Sequence, residues 1–584
     1  MVRDELQEKI IYANLNESMV ILAPPGCGKT YTMAKRIEYL INNDKIEGNR
    51  KILGLTFSNA AANEMYEKLE VQGSHLKSRV RILNYHAFCY KILRSHGDKI
   101  GITRDFAIIS SIERKKRLKD LFLQIEIDED DGMKFITKID ESIHNKKTLL
   151  ENVVMDKFLK KRIVRAYDQY VQSLINEDKM DFDLIIEKVI ELWDEKPEYL
   201  DLYRKKYQYL IIDEFQDTNQ LQYEIVRRLI GFNLSGNQET KDFQCYCDPF
   251  QSIYLFQGAL AKRFDLILDE FNPQLMSLDK NYRTSSKLIQ DICYCLRGGE
   301  KITDDNDENV NCYIFNNQEN ESDFVLNTIN GLVDDEIHLE EICVISRTYE
   351  RLNVVKSLLD ERRISYIYLK DFRSEVIEEK FYSIFLPFDI LISEKKTNGS
   401  IIDTFLETCE RNGYDRDDIV INTIHKFILK LERNLKFKKL RVWQKALEIK
   451  NDIYLEMNWG AVVRENTKDK IFLSVVHQVK GMEFNNVLFL GLENYELPSG
   501  LKCYNKCSKH LDQDMSEEEN IFYVGVSRTI SELVFTSSKK VIKKGVEKKR
   551  SLSCFINKIR QFVRLIDHDR NKPVNYSDVK CWNS

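Results

Sequence analysis

The sequence predicts an α/β protein built on two parallel-sheet cores, each interrupted by a mainly helical insertion. Short apolar runs recur between helical stretches at residues 19–22, 52–56, 209–212, 243–247, 342–346, 471–475 and 487–491, and such alternation is the pattern of parallel sheets covered by helices. Around 91–205 and 371–460 the rhythm gives way to charged helical patterns. At 584 residues the chain is too long for one core and fits two to four domains. The expected division is 1–90 with 206–275 as the first core, 91–205 as its insertion, 276–370 with 461–545 as the second core, 371–460 as a shorter insertion, and 546–584 as a C-terminal segment.

The first strand, 19–22, runs into Ala23-Pro-Pro-Gly-Cys-Gly-Lys-Thr30, and helix-like sequence follows from Tyr31. A strand, a Gly-rich turn and a helix N-terminus in that order make a phosphate cradle, walled by Ala23, Pro24, Pro25, Gly26, Cys27 and Gly28. Backbone N–H groups of the turn wrap the β- and γ-phosphates, Lys29 neutralises them, and the Thr30 hydroxyl reaches Mg²⁺. The strict pattern has Gly at position 23, so this is the variant A-x-x-G-x-G-K-T. It points to nucleotide binding without saying to what end.

The strand at 209–212 belongs to Tyr209-Leu-Ile-Ile-Asp-Glu-Phe-Gln-Asp-Thr218 and ends in adjacent carboxylates. At a strand's C-terminal end Asp213 is placed to hold Mg²⁺ through water and Glu214 to activate an attacking water. A lone Asp-Glu pair there reads as a capped turn; the phosphate cradle upstream favours the catalytic reading.

Composition narrows the class. At 43% hydrophobic and 31% charged residues the chain reads as globular and soluble. No apolar run is long enough for a bilayer and the charged N-terminus has no secretory apolar stretch, so a cytoplasmic (intracellular) location and no membrane partner are expected. Thirteen irregularly spaced cysteines read as thiols of a reducing compartment. Cys503, Cys507 and His510 suggest zinc, but a second ligand pair at matching spacing is missing. Cys245, Cys247, Cys293 and Cys295 read as core. A net charge of −5 argues against a coat-like nucleic-acid binder and leaves room for a local basic groove. The basic run from Lys539 to Arg550 is either a solvated face or a nucleic-acid contact.

Asp213-Glu-Phe-Gln-Asp-Thr218 together with Asp248-Pro-Phe-Gln-Ser-Ile-Tyr-Leu-Phe-Gln-Gly-Ala259 resembles the UvrD/Rep/PcrA family of superfamily 1 DNA helicases, and the similarity extends over most of the chain in the family's order. Gln7 matches the adenine-reading glutamine. Thr56-Phe-Ser-Asn-Ala-Ala-Ala-Asn-Glu-Met65 and Asn84-Tyr-His-Ala-Phe88 are similar to DNA-contacting motifs, and Met180-Asp-Phe-Asp-Leu184 to the short acidic segment before the Asp-Glu strand. Lys280-Asn-Tyr-Arg-Thr284 resembles the motif in which a tyrosine, here Tyr282, stacks on adenine and an arginine, here Arg283, reaches the γ-phosphate. His477-Gln-Val-Lys-Gly-Met-Glu-Phe484 resembles the segment whose glutamate, Glu483, meets the ribose and whose histidine, His477, meets DNA. Glu517 to Thr529 resembles the segment that puts Arg528 in the arginine-finger position.

The resemblance implies two RecA-like cores with ATP and Mg²⁺ at their seam, and an ATP-dependent 3′→5′ single-stranded DNA translocase and helicase acting on single-stranded and tailed duplex DNA. Lys29, Asp213, Glu214, Gln251, Arg283 and Arg528 form the implied catalytic set, with Gln251 sensing the γ-phosphate. Phe57, Asn59, Tyr85, His86, Phe256 and His477 occupy strand-facing positions; for the aromatics core packing is the alternative, and Phe57 and Tyr85 are evenly balanced. The sequence departs from the family at Gln257 (usually arginine), Val475 (threonine), Cys247 (glycine), Ala60 (lysine), and Glu519 and Asn520 (arginines). Gln257 and the shortened second insertion favour an alternative, an ATP-gated DNA-sensing subunit that controls a nuclease or effector protein partner, as in Gabija-type anti-phage complexes. RNA remains open as a substrate, since stacking does not read the 2′-OH.

Overall fold

The computed structural model describes residues 4–72, 75–126, 157–231, 242–253, 263–299, 309–372, 374–457, 462, 468–499, 516–543 and 545–576. The expectations for Phe256, Gln257, Cys503, Cys507 and His510 lie outside these residues.

The strands in chain order are β1 Met19–Leu22, β2 Lys51–Thr56, β3 Val80–Asn84, the two-residue β4 Ala107–Ile108 and β5 Lys179–Met180, then β6 Tyr207–Ile212, β7 Phe243–Cys247 and β8 Gln274–Ser277. Six of them form the first sheet in the order β3-β2-β6-β7-β1-β8, every pair parallel. Their unbroken apolar runs follow from burial on both faces. Met19 and Ile21, Tyr209 and Ile211, and Tyr246 join one apolar cluster. Val20, Leu210, Ile212, Cys245 and Cys247 point the other way into a second.

That second cluster does not stop at the core. It runs on through Ile163, Tyr170, Leu184, Ile185 and Trp193 of the first insertion, so the insertion and the core share one apolar interior. Asp181 starts the helix Phe182–Glu195 by accepting from the Leu184 amide at 2.8 Å.

The second sheet is built from β9 Val310–Phe315, β10 Ile342–Ser346, β11 Tyr366–Tyr368, β12 Ile471–Val475, β13 Phe484–Phe489 and β14 Thr529–Ser538; a hairpin of β15 Lys540–Lys543 and β16 Val546–Lys549 follows, then β17 Val563–Asp567 and β18 Lys572–Pro573. Its order is β11-β12-β10-β13-β14-β9-β17-β18, antiparallel only at the β17–β18 edge. Within the expected C-terminal segment, β17 pairs with β9 and stands in the second sheet. The expected strand at 487–491 begins at Phe484 instead. The basic run falls on the β15–β16 hairpin, where Lys540 pairs with Glu547 at 3.0 Å.

The second insertion is helical, with Ser374–Ser393, Ile401–Arg411, Ile419–Glu432, Leu435–Lys438 and Val442–Glu456 closing on their own core around Phe381, Phe385, Phe405, Ile424 and Ile449. It rests on the first insertion through the fully buried Asn451. That amide donates to Tyr90 Oη at 3.0 Å and the Phe106 carbonyl at 2.9 Å, and accepts from the Ile108 amide at 2.9 Å. Among the described residues no helix is long and apolar enough to cross a membrane.

Candidate active site at the seam between the cores

Adjacent strands β6, β7 and β1 end side by side, which brings the turn after Leu22, the carboxylates after Ile212 and the Asp248 segment together at the carboxyl edge of the first sheet. Ligands of open α/β sheets bind at such an edge. Gly26 and Gly28 have φ of +78° and +76°, a region glycine enters without strain. A side chain at either would also collide. A Cβ on Gly26 would lie 2.6 Å from Arg283 Cβ, and one on Gly28 would lie 2.6 Å from Gln7 Nε2. Ala23 and Cys27 are buried, while Pro24, Pro25 and Thr30 are half-buried at the rim. Burial pushes the Cys27 thiol up to about 12, so it stays protonated and inert.

Lys29 lies 2.9 Å from Asp213 Oδ1 and pairs with Glu214. Burial opposes its charge, yet Asp213 and Glu214 raise its pKa well above the ordinary lysine value. Burial also acts against Glu214, but Lys29 and then Lys480 more than offset it and hold that carboxyl down at about 2. Asp213 moves the other way, raised by burial against the pull of Lys29. Glu214 has φ +49°, a strained conformation for a side-chain-bearing residue and one that concentrates at functional sites; Gln216 Nε2 donates to its Oε2.

The second core closes the site. Asn281 Nδ2 donates to the Pro25 carbonyl at 3.3 Å, and the Tyr282 amide donates to the Gly26 carbonyl at 2.7 Å. Arg283 Nε lies 2.6 Å from Glu483 Oε2, and Arg283 Nη1 donates to the Ser527 carbonyl at 3.0 Å. Arg528 is 1% exposed. It donates to the Val524 and Met482 carbonyls at 3.0 and 3.1 Å and to Gln251 Oε1 at 3.3 Å. Burial and the neighbouring Arg283 push its guanidinium down to about 9, still cationic at neutral pH. Gln251 Nε2 donates to Asp248 Oδ2 at 3.0 Å.

One end of the seam is set by the N-terminal helix Glu5–Ile11. Its Gln7 donates from Nε2 to the Cys27 carbonyl at 3.2 Å. The helix is pinned by the buried Arg36, which donates to the carbonyls of Ile11, Ala13 and Asn14. Thus Gln7, Lys29, Asp213, Glu214, Gln251, Tyr282, Arg283, Glu483 and Arg528, drawn from both cores, are brought together at one seam. The cradle and the lysine–carboxylate cluster fit a triphosphate with its magnesium ion: the Mg²⁺ would take the Thr30 hydroxyl and Asp213, with the charge that now pairs with Lys29.

The strand-facing expectations divide. Tyr85 is 1% exposed within the first core's apolar cluster and presents no ring face to a strand, which corrects its assignment to nucleic acid. Asn59 is also committed internally: its Nδ2 donates to the Leu455 and Met457 carbonyls at 2.8 and 3.3 Å, and its Oδ1 accepts from Asn84 Nδ2 at 2.6 Å. It ties the first core to the end of the second insertion. His86 packs edge-on against Phe182 with ring centroids 5.2 Å apart. Burial, against Asp181, pushes His86 down to about 4; burial, with Arg347 and Lys480, does the same to His477. Phe57 and His477 are half-buried. Cys293 and Cys295 are only partly buried, at the rim of the core rather than inside it.

Asp4, Asn281 and Lys480 carried no expected role, although two of them stand inside segments singled out as motifs. Their signal is positional: each flanks a residue with an expected role, and the role of each is to join two segments far apart in the chain.

Comparison with known proteins agrees with this layout. Residues 4–272 match the UvrD/REP helicase N-terminal domain, and residues 276–379 and 379–540 match the UvrD-like helicase C-terminal domain. The chain is 25% identical to the ATP-dependent DNA helicase PcrA of Bacillus subtilis (strain 168), with 89% of this chain and 81% of that protein covered. It is 26% identical to the probable DNA helicase II homolog of Mycoplasma capricolum subsp. capricolum, with 91% and 83% covered. Against PcrA of Staphylococcus aureus (strain Mu50) it is 26% identical over 60% of this chain and 48% of that protein.

Proposed function

Because the chain belongs to the UvrD/Rep helicase family, we propose that it is an ATP-dependent DNA helicase that steps 3′→5′ along single strands and opens duplex. The observation that carries this is the division of one site between two cores: Lys29, Asp213, Glu214 and Gln251 from the first, Arg283 and Arg528 from the second. A γ-phosphate between them has charge partners on both sides and draws the cores together; its loss on hydrolysis removes that tie. Thr30 and Asp213 would hold Mg²⁺, which would supply charge neutralisation on the phosphates. Glu214, kept ionised, accepts the proton of the attacking water, and Arg528 stabilises the charge that develops in transfer.

The test is ATP hydrolysis with and without single-stranded DNA, alongside Lys29→Ala, followed by strand displacement on 3′-tailed and 5′-tailed duplexes. DNA-stimulated hydrolysis that vanishes in Lys29→Ala, with displacement from the 3′ tail, supports the reading. Hydrolysis that ignores DNA sinks it.

One observation favours a second reading, a DNA-sensing subunit that unwinds poorly and gates a nuclease or effector partner. The buried Asn451 contacts bind the second insertion to the first, and this restrains the element that would engage duplex. Strong displacement by the isolated chain would exclude it.

A further inference from the structure

Four side chains of the second core converge on one short turn of the first, Pro249–Gln251, with its flanking residues Asp248 and Ser252. Two act on side chains: Arg528 donates to Gln251 Oε1 at 3.3 Å, and Tyr523 Oη donates to Asp248 Oδ2 at 3.2 Å. The other two take hold of the backbone. Asn520 Nδ2 donates to the Pro249 carbonyl at 3.3 Å and the Ser252 carbonyl at 3.0 Å. Lys480 Nζ donates to the Gln251 carbonyl at 2.6 Å and to Asp217 Oδ2 at 2.6 Å.

The Lys480 contact is buried. Its side chain is 9% exposed and that of Asp217 1%. Taking both charges out of water is costly, and the mutual attraction offsets that cost only while the geometry is kept. Displacing the second core from this turn would strand a carboxylate in the first core's interior. A surface pair would tolerate such sliding; this one fixes a position. Lys480 also follows directly on the short Val476–Val479 helix that carries His477, so whatever moves that segment moves the grip on Gln251.

We propose that Lys480 is a positioning residue for ATP hydrolysis: by joining Asp217 to the Gln251 carbonyl it makes the placement of Gln251 depend on where the second core stands, and Asn520 steadies the rest of the turn. This rests on the reading of the seam as an ATP site. It also gives a role to one departure from the family pattern, since the short neutral amide at 520 reaches two carbonyls of this turn.

The experiment is steady-state ATP hydrolysis at saturating single-stranded DNA for the wild type, Lys480→Met, Asp217→Asn and the double variant, each checked for folding by thermal melt. Asp217→Asn keeps the size of the side chain and can still accept from Lys480, so it folds even if Lys480→Met does not. A misplaced Gln251 lowers kcat by about 10–100-fold while the KM for ATP moves little. The double variant falls no further than Lys480→Met, because one joint is broken either way. If the wild type hydrolyses ATP in a Lys29-dependent way but kcat stays within about twofold in both single variants, or the double variant loses the product of the single losses, the positioning role is wrong. A wild type without Lys29-dependent hydrolysis would instead remove the ATP-site reading, and this inference with it.

Discussion

Tyr282 Oη donates to Asp4 Oδ2 at 2.7 Å, while the other oxygen of Asp4 accepts from the Leu6 and Gln7 amides at 3.1 and 3.2 Å. One carboxylate therefore caps the helix that carries Gln7 and holds the tyrosine ring contributed by the other core. Burial acts to raise the Asp4 pKa, but the hydrogen bonds from Tyr282 and the two amides together outweigh it and hold the carboxyl below its ordinary value. Tyr282→Phe removes only the hydroxyl. The expected result is an ATP KM raised about 2–10-fold, the worth of one hydrogen bond, with Asp4→Asn milder because the helix cap survives. Michaelis–Menten kinetics on both variants check it, and an unchanged KM in Tyr282→Phe would show the contact to be idle.

Lys29 bridges to Asp213 and Glu214, so an incoming triphosphate competes with two carboxylates for one ammonium. Glu214→Gln keeps the shape of the site and removes the proposed base. ATP should still bind, with hydrolysis slower by about 10²–10⁴-fold, and single-stranded DNA should be held more tightly in the presence of ATP. Nucleotide-binding titration beside turnover measurements reads both effects. Near-normal turnover would move the base elsewhere.

Asn451 is a buried side chain at the contact between the two insertions, holding three groups there at once. Asn451→Leu leaves the Phe106 carbonyl and the Ile108 amide buried without partners, a loss of about 2–5 kcal/mol. Hydrogen exchange of the Ile108 amide should quicken well beyond that of amides in β1, which the change does not touch. Equal protection in wild type and variant would mean the insertions hold together without this amide.

Most of the first core was legible because its strands are buried on both faces, so β1, β6 and β7 appear as unbroken apolar runs ending in chemistry-bearing turns. β9 and β17 were not, since Val310-Asn-Cys-Tyr-Ile-Phe315 and Val563-Arg-Leu-Ile-Asp567 mix polar residues into short strands, and pairing across some 250 residues leaves no local trace. The residues proposed for the ATP site stand in motifs whose spacing phosphate chemistry fixes, and the fold brings them to one seam. Tyr85 shows the opposite case: an aromatic in a nucleic-acid motif looks the same whether its ring faces a strand or the core, and only the fold decides. Asn59, committed to the carbonyls of Leu455 and Met457, could not be anticipated because its partners lie almost 400 residues away.

The second core contains a buried charge cluster with a pH signature of its own. Arg351 Nη2 pairs with Glu321 and lies 2.7 Å from Glu493 Oε1, and all three side chains are nearly inaccessible. Burial pushes the Glu493 carboxyl up to about 8 from an ordinary 4.5, with Glu321 adding to the rise and Arg351 opposing it. Among the described residues, Glu493 Oε2 is buried with no hydrogen-bond partner, so nothing there solvates a charge on that oxygen. A carboxyl that binds its proton more tightly folded than unfolded stabilises the fold most at low pH. Between 4.5 and 8 the native state carries more protons than the unfolded chain, so stability falls as pH rises. Asp217, pushed up to about 6 chiefly by burial, has largely finished titrating above pH 6.5. Urea unfolding at pH 6.5 and pH 8 should therefore show a loss of stability in the wild type that is smaller in Glu493→Gln, where a neutral amide replaces the acid and keeps the contact with Arg351. Equal slopes in the two proteins would mean that Glu493 is ionised throughout.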